Sequence, residues 1–163
     1  MPNWCMNKLS VKGKKKQISE FKKKAKGESS DLSMDNFFPT PRELLEKDRQ
    51  ETENNKPQSL DWYKWRLHHW GCKWDIRAEL VDQKEDELDY SFDSPWSPPV
   101  EFILNVSTLY KRLNFNLEYD EPGNDFAGKL ECAEGQIIEE KSYPSHINSG
   151  WDDIEESEGR IEA

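Results

Sequence analysis

The chain has 163 residues, of which 34% are hydrophobic and 34% charged, with 12% aromatic and a formal net charge of −10. That length usually makes one domain with its own core, and the aromatic content argues against global disorder, although the core must be small and lean on those rings. The acidic balance disfavours non-specific DNA binding and attachment to anionic membranes, and no apolar run approaches the ~20 residues needed to span a bilayer.

The charge is unevenly spread. Residues 1–27 carry nine Lys and one acidic residue, whereas residues 75–163 carry 23 acidic against seven basic ones, so the molecule is dipolar. The N-terminus lacks a signal-peptide core and the reading is cytoplasmic. Cys5, Cys72 and Cys132 are odd in number, far apart and without a CxxC pair, which fits small buried hydrophobes rather than a zinc or disulfide framework.

Asn3 to Val11 alternates as a strand, with Cys5, Asn7, Leu9 and Val11 on one face and Trp4, Met6, Lys8 and Ser10 on the other. Lys14 to Lys26 reads as a helix with a narrow stripe of Ile18, Phe21 and Ala25 among lysines, stopped by Gly27. Those lysines are the one place where nucleic acid would touch the chain, but a solvated helix surface is the ordinary meaning of such a run. Glu28 to Leu60 is irregular. Phe37 and Phe38 would pin it to the domain, a short helix is signalled over Arg42–Lys47, and Asp48 to Ser59 reads as a mobile loop.

Trp62 to Trp74 holds four of the seven tryptophans. Tyr63, Leu67 and Trp70 recur at helical spacing, Gly71 closes the last turn, and Lys73 to Val81 switches to period two, with Trp74, Ile76, Ala78 and Leu80 inward. After a polar turn at Lys84 to Glu87, Leu88, Tyr90 and Phe92 alternate in the same way, so the two runs should pair as a hairpin. Ser97 before Pro98 signals a helix start, with the helix running to about Leu113 and burying Val100, Ile103, Leu104, Ser107 and Tyr110. Phe115, Leu117 and Tyr119 alternate as a strand, Glu121-Pro122-Gly123 is a turn, and Phe126 to Cys132 with Gln136 to Lys141 forms a hairpin around Glu134-Gly135. From Pro144 to Ala163 the chain is acidic and poor in apolar residues, a tail that at most docks Trp151.

The resulting order is strand, helix, strand, strand, helix, strand, plus a hairpin. That is an α+β, ferredoxin-like split βαβ arrangement: an antiparallel sheet with two helices on one face, an inserted helical segment and an extra C-terminal hairpin. The domain spans residues 1–143 with the insertion at about 28–70, followed by the acidic tail at 144–163. The other face of the sheet is free to bind.

Several segments carry a resemblance. Met1-Pro2-Asn3-Trp4-Cys5-Met6-Asn7-Lys8-Leu9-Ser10-Val11, Pro39-Thr40-Pro41-Arg42-Glu43-Leu44, Trp70-Gly71-Cys72-Lys73-Trp74, Trp96-Ser97-Pro98-Pro99, and Glu121-Pro122-Gly123 with Phe126-Ala127-Gly128 resemble the YubB/Api-like family of phage and plasmid proteins. The pieces lie in family order from Met1 to about Tyr143. The resemblance implies a ferredoxin-like domain encoded by mobile elements and assigns it no activity.

No Gly-rich phosphate loop, HExxH, nucleophile elbow or metal-ligand cluster occurs, and adjacent His68 and His69 point about 100° apart on a helix, so neither a catalytic residue, a cofactor nor a metal is assigned. The candidate ligand-binding set is polar and aromatic together: Asn3, Trp4, Asn7, Trp70, Lys73, Trp74, Trp96 and Glu121, all beside turns or element ends. Aromatic faces can stack a base or cover a peptide, and a lysine among them can pair with an anion; the competing meaning is that the tryptophans are simply the core. Asn7 is the informative member, because a polar side chain in the inward register of a strand must find partners or a ligand. The leading expectation is a non-enzymatic phage or plasmid binding protein acting on a host protein or sequestering a small anionic ligand such as a nucleotide. The alternatives are an enzyme acting on nucleic acid or nucleotides, with Lys73 as its electrostatic group, and an acidic DNA mimic.

Overall fold

The structure, a computed structural model, describes residues 2–149. Its first strand, β1 (Trp4–Lys12), alternates as its sequence demands, burying Cys5, Asn7, Leu9 and Val11. α1 (Lys15–Ala25) follows, with Ile18, Phe21 and Ala25 inward. Three helices come next: α2 (Met34–Phe37), α3 (Arg42–Glu53) and α4 (Asp61–His69). The chain then runs through β2 (Glu79–Lys84), β3 (Glu87–Pro95), α5 (Val100–Leu109), β4 (Asn114–Glu121), β5 (Phe126–Ala133), β6 (Gln136–Tyr143) and α6 (His146–Ser149).

All six strands join one antiparallel sheet in the order β2-β3-β1-β4-β5-β6. The first four carry the ferredoxin-like order, and β5 and β6 extend it. β1 is central: Leu9 stands opposite Tyr90 of β3 and Leu117 of β4, and Val11 opposite Leu88 and Phe115. Those side chains, all buried, meet the apolar stripes of α1 and α5 on one face. The other face carries Lys8, Asp93, Glu118 and Lys129 and is open.

The segment read as an insertion does more than expected. Leu32 and Met34 are fully buried and Phe37 stacks on Phe21 with centroids 5.2 Å apart, so residues 30–37 complete the core. Polar residues tie them down. The Asp75 carboxylate accepts hydrogen bonds from Met34 N (2.7 Å), Asp35 N (3.3 Å) and Ser33 Oγ (2.6 Å), an N-terminal cap supplied from forty residues away. Ala78 N donates to Ser30 Oγ, and Asp31 N donates to Ala78 O. This corrects the strand read over Lys73–Val81: residues 75–78 spend their polar groups on the 30–33 loop, and pairing with β3 starts only at Glu79.

Four other expectations change. Asp48 to Glu53, read as loop, continues α3, held by Arg49 pairing with Glu46 and Glu53 at i,i+3 and i,i+4 spacing, so charge pairing replaces apolar burial there. Leu67 is exposed, and α4 buries no residue fully. α5 starts after Pro99 rather than at a Ser97 cap, ends at Leu109, and buries Phe102, Ile103, Val106 and Ser107, a face rotated from the expected one, with Val100, Leu104 and Tyr110 at its flanks. The start of the acidic segment is docked: Ser145 is fully buried, and its Oγ and the His146 N donate to Asp120. Trp151 and the rest of that segment lie outside the described residues. No helix among the described residues is long and apolar enough to cross a membrane.

Leu32→Ala is expected to lower stability by ~2–5 kcal/mol, the range for truncating a buried leucine, whereas Leu45→Ala on exposed α3 stays within about 0.5 kcal/mol. Urea unfolding checks both through the midpoint at constant slope; equal midpoints would mean that residues 30–37 do not belong to the core.

Candidate functional site

The start of β1 and the end of β3 lie side by side, Trp4 opposite Pro95, at one end of the sheet. Because side chains alternate along a strand, Trp4 projects to the open side while Cys5 goes in. The residue just past β3, Trp96, has φ +66°, a left-handed conformation uncommon for a bulky side chain. Its N–H donates to Asn3 O at 2.7 Å, which holds the turn against the start of β1.

Trp74 completes the group. Trp70, just past α4, is fully buried, and its indole N–H donates to Phe38 O at 3.0 Å. Gly71 then turns at φ +82°, where an added Cβ would also strike the Glu101 carboxylate. Cys72 returns inward and its thiol donates to Trp74 O at 3.3 Å, while Arg66 donates to Lys73 O at 3.1 Å. With its backbone gripped at both sides, Trp74 faces out.

The result is a ladder of three indoles. Trp4 and Trp74 have centroids 6.5 Å apart with planes 36° apart, and Trp74 and Trp96 are 6.4 Å and 26° apart. The three residues are 45%, 39% and 45% exposed, so together they present more open surface than one whole tryptophan residue. This corrects the inward register expected for Trp74. The Lys73 ammonium lies 5.2 Å from the Trp74 centroid and 5.5 Å from that of Tyr63, over both faces. Beside the ladder, Trp4, Trp74, Asp75, Arg77, Asp93 and Pro95 line a shallow cleft of about 280 Å³.

The eight residues singled out from the sequence therefore divide. Trp4, Lys73, Trp74 and Trp96 come together at the surface, and Asn3 supports them through its carbonyl. Trp70 is core, with its one donor satisfied and no face open to a ligand. Asn7 is buried; its amide donates to Cys5 O (3.0 Å) and Ser94 Oγ (2.8 Å), and Ser94 Oγ donates to Ser97 O (2.6 Å), a chain that holds the turn carrying Trp96. Glu121 is also fully buried, and its carboxylate accepts from Gly123 N (2.6 Å) and Asn124 N (3.1 Å), closing the turn that sits against Asn3. Asn7 and Glu121 thus shape the site from behind. Arg77 and Asp93 belong to the cleft and were not singled out; both fall in the outward set of their alternating runs, but Asp93 reaches Trp4 through the pairing of β1 with β3 and Arg77 through the anchoring of residues 75–78 to the 30–35 segment. Among the described residues no group of three or more His, Cys, Asp or Glu side chains is placed to hold a metal ion.

A family model described as "Ferredoxin-like domain in Api92-like protein" matches residues 70–160, more than half of the chain. Among solved structures, the crystal structure of a protein api92 from Yersinia pseudotuberculosis is similar with a TM-score of 0.59 at 11% identity, over 89% of this chain and 99% of that one. At that identity the likeness shows the fold alone. A comparison with curated proteins finds no match.

Burial pushes the thiols of Cys5 and Cys72 up to about 12, with Glu121 adding to the first and Asp75 to the second, and burial pushes Cys132 up to about 11. The unfolded chain loses these protons near pH 9, before the folded one does, so stability is fully present below that pH and falls as pH rises towards 11–12. Denaturation midpoints should drop steeply over that window, and less so in Cys72→Ala. An unchanged slope, or rapid native labelling of Cys72 by a thiol reagent at pH 8, would place that thiol outside the interior.

Proposed function

The chain belongs to the family of Api92-like proteins, and on that premise we propose that it is a non-enzymatic binding protein of phage or plasmid origin that uses the Trp4–Trp74–Trp96 ladder to hold a host protein. The mobile-element origin rests on the resemblance of the opening segment and of the tryptophan-bearing motifs to phage and plasmid proteins. One observation carries the binding reading: three contiguous, half-exposed indoles, one of them held in a strained backbone conformation. Large exposed apolar rings in contact mark interaction surfaces, and strain persists where the surroundings impose it, commonly at functional positions.

A macromolecule suits this surface better than an enclosed small ligand. Sites for small molecules typically enclose roughly 300–1,000 Å³, whereas this cleft is smaller, about 280 Å³, and open to solvent. Tryptophan and arginine, both present here, are the residue types that dominate protein–protein hot spots. Sequestering a nucleotide is supported by Lys73 and Arg77 but opposed by the Asp75 and Asp93 carboxylates in the same cleft. An enzymatic role for Lys73 is opposed by its ammonium lying over two ring faces rather than against an acid or base. For DNA mimicry, the acidic residues of the open face are interleaved with lysines, as in Lys129–Glu118 and Lys141–Glu139, which breaks up a phosphate-like array.

Immobilised full-length protein is expected to retain one host protein in near-stoichiometric amount at physiological salt, and the Trp74→Ala/Trp96→Ala double variant to lose it. Because both rings are half-exposed, the variant's melting temperature should stay within a few degrees of the parent. Equal retention by a folded variant would remove the ladder as the site.

A further inference from the structure

We infer that the ladder takes a proline-rich segment in the polyproline II conformation, with a basic residue of that segment set beside Asp93. The inference rests on the ladder being the binding site and names the chemistry of its occupant.

Spacing is the first argument. Successive indoles stand 6.5 and 6.4 Å apart. Polyproline II advances about 3.1 Å per residue, so two residues cover about 6.2 Å, and each step between rings matches one X-Pro dipeptide. Neighbouring planes are 36° and 26° apart, so the rings form a row of ridges, and the dips between them suit pyrrolidine rings.

Hydrogen-bonding sense is the second argument. The indole N–H groups of Trp4, Trp74 and Trp96 have no acceptor among the described residues, and the exposed Arg77 guanidinium likewise has no partner there. Indole and guanidinium nitrogens donate and do not accept. A run of prolines offers the complement, because its backbone has carbonyl acceptors and no N–H. An extended strand carrying its own N–H groups would leave them without acceptors on this indole face. Polyproline II also forms no internal hydrogen bonds, so docking on a face costs the segment none.

Charge is the third. Asp93 is exposed, lines the cleft and has no ion-pair partner among the described residues. The whole chain carries −10. A Lys or Arg in the segment meets that carboxylate, whereas a nucleic-acid strand brings phosphates against it.

The test is calorimetric titration of full-length protein with a set of twelve-residue peptides carrying Pro-Pro and Pro-X-X-Pro repeats with Arg at either flank. Gly-Ser peptides of the same charge and a twelve-nucleotide oligo-dT serve as controls. Saturable binding by at least one proline peptide is expected, weakened at least tenfold by Trp74→Ala and absent for Gly-Ser. Asp93→Asn should weaken the Arg-bearing peptide several-fold and leave its Arg→Gln counterpart unchanged. No binding by any proline peptide, tighter binding of oligo-dT, or indifference to Trp74→Ala overturns the inference. If the proline peptides fail while host-protein capture still depends on Trp74 and Trp96, only the occupant is wrong. If capture also survives the double variant, the ladder itself is not the site.

Discussion

The indole of Trp70 must be buried with its N–H satisfied, and much of the molecule is arranged around meeting that requirement. Its acceptor is the carbonyl of Phe38, at the end of α2. One hydrogen bond therefore ties the loop between α2 and α3 to the end of α4 across 32 residues of chain. The Arg66 guanidinium lies 4.9 Å above the same ring and reaches on to Thr40 Oγ1 and Lys73 O, so three segments are fastened at one point. Even a half-buried arginine is costly unless its donors are used. Burial pulls Arg66 below its ordinary value, while Asp35 and Asp75 act to hold the charge. With Trp70 fixed inward and Gly71 reversing the chain, Trp74 emerges on the outside. The anchor and the ladder are thus consecutive consequences of one turn.

At the other edge of the ladder the support is a relay of small polar groups. Asn7 sits in the inward register of the central strand, where an unpartnered amide would cost about 1–3 kcal/mol. Its amide reaches Ser94, Ser94 reaches the carbonyl of Ser97, and between them Trp96 is set in its left-handed conformation. From the far side Glu121 closes its turn so tightly that a Cβ on Gly123 would meet the Asn3 side chain at 2.6 Å. Asn3 in turn accepts the N–H of Trp96. The buried polar residues of this sheet end are therefore structural in their contacts and functional in their effect, because they decide where two exposed indoles stand.

How much of this the sequence discloses follows from the range of the interactions involved. Strands with one buried face alternate visibly, so β1, β3, β4 and β5 are legible, and with them the ferredoxin-like order, because burial on one face is a local pattern with period two. Residues 75–78 mislead for the same reason: Ile76 and Ala78 are buried and alternate, but Ile76 N donates to the Asp75 carboxylate and Ala78 bonds Ser30 and Asp31, which no local pattern can show. α3 is missed beyond Lys47 because Arg49 and its glutamates stabilise it without any apolar stripe. At the site, the residue types are legible but not their division. Trp70 and Trp74 are four apart and chemically alike, and only Gly71 separates the buried one from the exposed one. Asp93 becomes a neighbour of Trp4 through strand pairing, and Arg77 through the contacts of residues 75–78 with the 30–35 segment, neither of which a local pattern shows.

The energetic position of the three exposed indoles points to what maintains them. Burying a tryptophan side chain is among the largest stabilising contributions available to a chain with few apolar residues, and this fold uses it for Trp70. It leaves Trp4, Trp74 and Trp96 half outside and accepts a left-handed conformation at one of them, a cost of about 1–3 kcal/mol. Relaxing Trp96 to an ordinary φ would break its N–H bond to Asn3 and swing the indole off Trp74, so the strain and the alignment of the ladder are the same feature. Folding alone does not need that alignment, since none of the three rings belongs to the buried core. A surface that is costly to the free protein and ordered by buried hydrogen bonds is preorganised, and preorganisation stabilises a bound state by removing the entropy of assembling the rings on contact.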